Sequence, residues 1–540
     1  MFASKIYIMF KKVPHTYVIV FSIIIIAAIL TWIVPAGQFE RTTKTLADGS
    51  STTVIVENSY HEVDASPQTW QVFTSIFDGF KKQAGIIAFI LLVGGSFWIL
   101  NESRALAAGI NSFLRFSRRL EKRKFLQKIG VNNIIMVLIM TLFSAFGAIF
   151  GMSEETIAFV IIFVPLAISM GYDSITGLCL VYVAAHLGFA GAIFNPFTIG
   201  IAQGMSDLPL FSGWEYRFVC WLVINAVGFA FILWYASRIK KNPQKSLTYS
   251  IDEYWRKNNS SHADDIEYYT PKSAWASYII VSIAVILFSV FYPISSLTVG
   301  NANFEFAAIP IVSGLFIITS FFMLRKSVHF YIINLLLFTV LYLIVGVMGY
   351  GWYVEEIGGL FLAMGIAAGI AMDRSANDIV KMFLDGAKDI FSAAFVVGLA
   401  GGIIAILTNG NIIDTIMDSL SNGMQDTGKE ASLSIMYGIQ TFLNIIIPSG
   451  SAKAALTMPI MAPFSDLVEI SRQTTVLAFQ FGDGFTNMIT PTSGVLIGAL
   501  GMAKIPYNIW FKFIWKFMLV LVALGFLLCL PTLYMTLNGF

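Results

Sequence analysis

The chain reads as a series of apolar runs parted by short polar interruptions, and run length is the first guide to what it forms. Residues 17–36, 83–101, 175–204, 218–237, 273–293, 304–323, 329–349, 357–372, 391–410, 474–500 and 509–535 are dominated by Ile, Leu, Val, Phe and Ala. Most reach the ~18 residues expected of a spanning helix, so they predict about eleven spans. Two more apolar stretches, 130–170 and 432–469, are each interrupted near the middle. The interruptions are Gly151-Met-Ser-Glu-Glu-Thr156 and Pro448-Ser-Gly-Ser-Ala-Lys453. Segments 70–82 and 373–390 read as interfacial.

Loop charges assign sides. The loop 37–69 carries Glu40, Asp48, Glu57, Glu62 and Asp64 against Arg41 and Lys44, and reads as outside. The stretch from Arg104 to Lys128 is strongly basic and reads as an amphipathic cytoplasmic segment. Arg238, Lys240, Lys241 and Lys245 open a cytoplasmic linker, 238–271. Arg325 and Lys326 mark an inside turn, Glu355 and Glu356 an outside one, and 411–431 is acidic and outside. Two crossings separate 171–174 from the linker, so 171–174 is cytoplasmic. The stretch 130–170 therefore enters and leaves on one side, as a re-entrant hairpin or as two thin spans. Either places Glu154 and Glu155 away from the cytoplasmic surface.

Three blocks recur in order. Phe77-Asp-Gly-Phe-Lys81 with Gly94-Gly95 matches Leu384-Asp-Gly-Ala-Lys388 with Gly401-Gly402. The interruption 151–156 followed by Pro165 matches 449–454 followed by Pro463, and Gly204-Met-Ser-Asp-Leu-Pro209 matches Gly501-Met-Ala-Lys-Ile-Pro506. Collinear matches near a fixed offset predict a duplication. The span count puts 171–174 inside and 469–473 outside, so the copies are inverted, as in many secondary transporters. The domains predicted are a first repeat at 1–237, the linker 238–271, inserted spans at 272–349 and a second inverted repeat at 350–540.

Composition agrees. Of the 540 residues 57% are hydrophobic and 12% charged, with a mean hydropathy of +0.75. A soluble chain is about 25% charged. This is an all-α polytopic membrane protein with the lipid bilayer as its surroundings; barrels lack such long runs. The net charge of +2 says little about partners, because the charges are segregated by side; no nucleic-acid partner is expected. The apolar run following Lys5, Lys11 and Lys12 reads as a retained first span with a cytoplasmic N-terminus. Cys179, Cys220 and Cys529 lie far apart and show no metal, redox or disulfide spacing. HExxH, GxSxG and His/Asp clusters are lacking near the polar sites, which argues against an intramembrane enzyme and against a cofactor.

The polar groups fall into two hairpin tips and two helix breaks, at Gly188–Thr198 and Gly482–Ser493. Breaks expose backbone N–H and C=O groups, which with helix-end dipoles hold ions or charged ligands. The candidate substrate-binding residues are Ser153, Glu154, Glu155, Thr156, Asn195, Thr198, Ser449, Ser451, Lys453, Asp483, Asn487, Thr490, Thr492 and Ser493. Asn195, Asp483, Asn487, Thr490 and His186 are the candidates for coupling Na⁺ or H⁺. Each has a plainer reading. The Ser and Thr hydroxyls satisfy kinked backbone, Asn195-Pro196 is a common turn, Lys453 snorkels outward, and His186 is a satisfied core histidine.

The same residues carry a resemblance. Pro14-His-Thr-Tyr-Val18, Trp32-Ile-Val-Pro-Ala-Gly37, Glu155-Thr-Ile-Ala158, Asn195-Pro-Phe-Thr198, Ala455-Leu-Thr-Met-Pro-Ile-Met-Ala-Pro463 and Phe479-Gln-Phe-Gly-Asp-Gly-Phe-Thr-Asn487 resemble the YfcC group. That group belongs to the anaerobic four-carbon dicarboxylate carrier (DcuC) family of the ion transporter superfamily. The resemblance spans nearly the whole chain. It implies a homodimer in a bacterial inner membrane, with a scaffold and a mobile transport domain bearing both hairpins, working as an elevator. The family's second tip is expected to read Ser-Gly-Ser-Gly-Gln; here it reads Ser449-Gly-Ser-Ala-Lys453. Three acids and one base suit a basic or zwitterionic amino acid better than a dianion. The expected function is secondary active transport of such a small molecule, by antiport or ion-coupled symport. The alternative is a Na⁺- or H⁺-coupled dicarboxylate carrier. An ion channel fits less well, since channels ring like residues about an axis.

Overall fold

The computed structural model describes residues 16–45, 51–56, 59–120, 130–260, 267–299, 302–422, 428–535 and 537–539. The N-terminal lysines, the opening of the Pro14–Val18 motif, Asp48 and Glu57, the basic residues 122–128 and residues 423–427 of the acidic loop lie outside them. The fold is all-helical, 77% helix. Among the described residues eight helices are long and apolar enough to cross a membrane, nine if the bent helix Ala376–Asn409 is counted as one span. The expectation of about eleven is larger because three of the predicted runs fall short and 391–410 counts only within the bent helix, while one of the eight, Val131–Phe150, belongs to the interrupted stretch 130–170 and not to the eleven runs. Residues 17–36 give an apolar helix over Val20–Ile33, and 304–323 gives Ala308–Leu324. The run 474–500 gives two pieces, Arg472–Thr486 and Gly494–Ala503.

The 304–323 run starts late because Ala302–Phe306 pairs as a strand with Ser295–Val299. The loop 37–69 is likewise built, where only a polar loop was expected. Arg41–Thr45 and Ser51–Ile55, rich in β-branched Thr, Val and Ile, pair antiparallel. Gly37–Gln38 pairs with His61–Glu62. Arg41 clamps Asp414 at 2.8 and 2.9 Å and so ties this unit to the helix Ile413–Asn422, far away in the chain.

Two arms pack on each other. One is the interfacial helix α2 (Gln71–Lys82; α1 being Thr16–Ile33) with α3 (Ala84–Glu102). The other is the long helix Ala376–Asn409, which contains the predicted interfacial segment 373–390. A Cβ on Gly79 would lie 2.2 Å from Gly398 O and 2.4 Å from Gly402 N. A Cβ on Gly386 would lie 2.6 Å from Gly94 O and 2.9 Å from Gly95 Cα. Each arm thus offers glycine where the other's backbone touches it.

Residues 131–169 form α5 (Val131–Phe150) and α6 (Thr156–Ser169), after the basic helix α4 (Ala105–Leu120). Phe143 meets the rings of Phe159 and Phe163 at 5.1 and 5.4 Å, so the two helices run antiparallel about the 151–155 tip. With 14 residues, α6 extends about 21 Å, short of the ~30 Å hydrocarbon core. The second pair is Lys429–Ile446 and Gly450–Leu467, with Thr457 reaching back to Gln440 at 3.5 Å. At the centre lie the helices Ser174–Gly191 and Arg472–Thr486. The first is buried throughout and the second from Gln473 onward. Their polar residues are therefore shielded from lipid by protein, the condition under which membrane-depth polar groups are tolerated.

Candidate functional site

The first tip is shaped by its own backbone. Helix α5 ends at Gly151, whose φ of +69° closes the helix in the left-handed conformation glycine favours. A Cβ there would stand 2.4 Å from Asn195 Oδ1, so the tip rests on the first helix break. Beyond it the residues wind directly into α6. The Thr156 hydroxyl donates to Ser153 O at 2.5 Å. The buried Glu155 carboxylate turns back to accept from Ser153 N at 3.0 Å. It pins the backbone of the tip just ahead of α6, close to the helix N-terminus, where the dipole favours an anion. Glu154 is the more open acid, half-buried, and accepts from the Tyr353 hydroxyl at 2.9 Å. The two neighbours thus have different work.

His186 lies beneath this tip. Its Nδ1 faces Tyr182 O at 2.9 Å, and its Nε2 lies 3.4 Å from Ser153 Oγ. A ring nitrogen opposite a carbonyl carries the proton, which leaves Nε2 to accept from the serine. The Tyr182 ring packs 4.1 Å from the imidazole, and its hydroxyl donates to Asn487 O at 2.9 Å, bridging the two halves.

The first break begins later than expected. Gly188 and Gly191 remain helical. Gly188 is needed for packing, since a Cβ there would lie 1.8 Å from Ser144 O on α5. The chain turns at Ala192, with φ +38°. The carbonyls freed there are collected by buried Arg217, which donates to Ala192 O (3.0 Å), Ile193 O (3.1 Å), Phe211 O (3.1 Å) and Ser212 O (2.7 Å). Asn195 caps the next turn, accepting from Phe197 N at 2.9 Å and Thr198 N at 3.3 Å. Its Nδ2 and the Thr198 hydroxyl are buried without a partner.

In the second half, Gly482 and Gly484 are also helical, and the break runs over 487–493. Gly484 admits the first half's helix, since a Cβ there would lie 2.5 Å from Ala190 Cα. Lys453, in the first turn of Gly450–Leu467, points inward. Its ammonium is 3.1 Å from Asp483 Oδ1, and both side chains are fully buried. It also donates to Gln440 O at 3.3 Å and stands 4.9 Å over the Phe479 ring. Asn487 Nδ2 donates to the other Asp483 oxygen at 3.3 Å. A Cβ on Gly450 would lie 2.7 Å from Thr198 and 3.0 Å from Asp483, so the second tip touches both breaks.

The remaining hydroxyls serve backbone. Thr490 and Thr492 both donate to Ile445 O, at 3.4 and 2.6 Å. Ser493 caps its helix by accepting from Leu496 N at 3.3 Å. Ser449 and Ser451 are exposed on the second tip. Among the described residues no group of three His, Cys, Asp or Glu side chains is placed to hold a metal.

Two tips and two breaks therefore converge, bringing together Glu154, Glu155, His186, Asn195, Thr198, Lys453, Asp483 and Asn487. Sequence reasoning missed Tyr182, Arg217 and Tyr353. Arg217 had a weak signal, a cation at the mouth of the predicted span 218–237. Tyr353, 199 residues from Glu154, had none.

Residues 13–534 match the family described as C4-dicarboxylate anaerobic carrier, DcuC. The Escherichia coli K12 protein named "Putative basic amino acid antiporter YfcC" is 30% identical over 534 residues, 92% of each chain. An uncharacterized protein of Haemophilus influenzae is 26% identical, over 95% of this chain and 96% of its own. Among solved structures, the YdaH transporter of Alcanivorax borkumensis aligns over 97% of this chain and all of its own, at 13% identity and a TM-score of 0.36. MtrF of Neisseria gonorrhoeae aligns over 97% and 96%, at 15% identity and the same TM-score. Similarity of that size fixes nothing about function.

Proposed function

The chain belongs to the C4-dicarboxylate anaerobic carrier family, a family of membrane transporters, and from that premise we propose that it carries a basic or zwitterionic amino acid, by antiport or ion-coupled symport. The observation that carries this is the division of charge at the converging tips. Lys453 is spent on Asp483, and Glu155 on its own helix turn. Glu154 is left as the open charged group, held by neutral partners such as the Tyr353 hydroxyl and with no cation on it among the described residues. An anionic site in a low-dielectric setting selects a cationic group on its ligand. The substrate carboxylate then falls to the unpaired Asn195 amide and Thr198 hydroxyl. The name of the Escherichia coli relative points the same way.

The finer architecture belongs to this proposal. Gly79 meets Gly401 and Gly402, while Gly386 meets Gly94 and Gly95. Gly79 and Gly386 are 307 residues apart, as are Gly94 and Gly401. Reciprocal contacts of that kind are what a two-fold axis produces, and they support inverted repeats. We take the hairpins and broken helices as the moving body of an elevator and the glycine-packed arms as scaffold. The protein would work as a homodimer in a bacterial inner membrane with its N-terminus in the cytoplasm.

Proteoliposome uptake of arginine, ornithine, neutral amino acids, succinate and malate tests the substrate. Uptake of dicarboxylates alone would overturn the amino-acid reading. A dicarboxylate carrier is the second reading, favoured by the family's description and by the two unpaired donors, Asn195 and Thr198.

A further inference from the structure

The second hairpin has a feature that substrate recognition does not use. A lysine with no solvent exposure is held by a carboxylate, a main-chain carbonyl and an aromatic face. Those are ligands for a positive charge, and they come from two segments while the ammonium comes from a third. Gln440 lies on the first hairpin helix, Lys453 on the second, and Asp483 and Phe479 on the broken helix. Around the same carboxylate stand further oxygen ligands. Asn444 donates to Asp483 O at 3.1 Å, to Thr486 at 2.8 Å and to Asn487 Oδ1 at 3.1 Å, and its own Oδ1 is buried without a partner. Without the ammonium, the pocket would offer one carboxylate and several neutral oxygens beside a helix break. That is a donor set for a small hard monovalent cation.

The corresponding place in the first half is different. Glu155 aligns with Lys453 at an offset of 298, and His186 aligns with Asp483 at 297. There the hairpin supplies the acid and the broken helix the base, joined through Ser153. The hairpin ammonium is thus particular to the second half.

We propose that the Lys453 ammonium is a tethered cation, holding at Asp483 the place a coupling Na⁺ would take, so that the second half of the site binds no ion from solution. The word coupling rests on the transporter reading; the occupancy does not. A second cation entering beside the ammonium, at about 4 Å and an effective dielectric near 20, would be disfavoured by roughly three orders of magnitude in affinity. Lys453 also ties the tip to both neighbouring helices permanently, where a free ion would tie them only when bound.

The test uses purified full-length protein without substrate, so it stands apart from the identity of the cargo. Melting temperatures are measured in NaCl and in choline chloride for wild type, Lys453→Arg, Lys453→Gln and Lys453→Gln/Asp483→Asn. Wild type and Lys453→Arg are expected to show no Na⁺ response. Lys453→Gln is expected to gain a saturable rise of about 2–4 °C, which Asp483→Asn then abolishes. A Lys453→Gln protein that is monodisperse only in Na⁺ counts as the same gain. Three results would overturn the proposal: a wild-type Na⁺ response absent from Lys453→Gln/Asp483→Asn, a folded Lys453→Gln that ignores Na⁺, Li⁺ and K⁺, or an unfolded one that none of them recovers.

Discussion

Replacing Arg217 should loosen the first helix break more than any other single change near the site. The guanidinium is 1% exposed and serves four carbonyls, two at the end of the broken helix and two in the 211–212 turn. Arg217→Met keeps length and apolar packing but removes every donor. Ser212 O keeps the Gln203 and Gln473 amides, so three carbonyls lose their side-chain donor, and each buried carbonyl left unpaired costs about 1–3 kcal/mol. Relief from desolving the guanidinium offsets several kcal/mol of the total, leaving a net loss of about 4 kcal/mol. Arg217→Lys keeps the charge and reaches fewer of the four oxygens, for about half that loss. At about 2 cal/mol/K per residue of unfolding entropy, a chain of 540 residues loses about 4 °C for Met and about 2 °C for Lys. Differential scanning fluorimetry in detergent reads both. Uptake should fall in the same order, because Ala192 and Ile193 lead directly into Asn195. A Met variant within about 1 °C of wild type, or one more stable than Lys, would refute the reasoning. Either result would mean that desolvation of the cation outweighs its hydrogen bonds.

The two glutamates should separate. Glu154→Gln is expected to cut uptake of cationic substrates at least about tenfold with little change in melting temperature. Glu155→Gln is expected to cost about 1 kcal/mol of stability by weakening the charge-assisted bond from Ser153 N inside the tip, so equal effects in both assays would sink the distinction. At the arm contact, Gly79→Ala and Gly386→Ala should each destabilise by about 1–3 kcal/mol through overpacking. Gly314→Ala is the control, as its Cβ would meet nothing within 4 Å. The linker makes a pH prediction. Asp252 accepts from Ser174 N at 3.1 Å and Thr248 at 2.9 Å, and burial holds its carboxyl above the usual range. The folded state then binds that proton more tightly than the unfolded chain. Its ionisation weighs against folding near pH 7, and the penalty lifts as pH falls through the folded value. Wild type should therefore gain more melting temperature, relative to Asp252→Asn, between about pH 7 and about pH 5.

The run lengths and interruptions were readable in the sequence because the bilayer imposes them. A spanning helix needs about 20 apolar residues, and a stretch broken by Gly, Ser and Glu in mid-run has to be something else. The outer strands were not readable. Arg41–Thr45 is too polar to show an alternating pattern, and its role depends on Asp414, 373 residues away. Glycines were read for the wrong reason. Gly188, Gly482 and Gly484 suggested broken backbone, yet they stay helical and let neighbouring helices approach.

The sequence by itself determined that Glu154, Glu155, Lys453 and Asp483 each interrupt an apolar stretch. The tertiary structure alone decided how their charges are used. Lys453 faces Asp483, Glu155 faces its own backbone, and Glu154 faces Tyr353. The physical reason is that low dielectric obliges each buried charge to find a partner without saying which. That choice is made by helix packing, through contacts between residues tens to hundreds of positions apart.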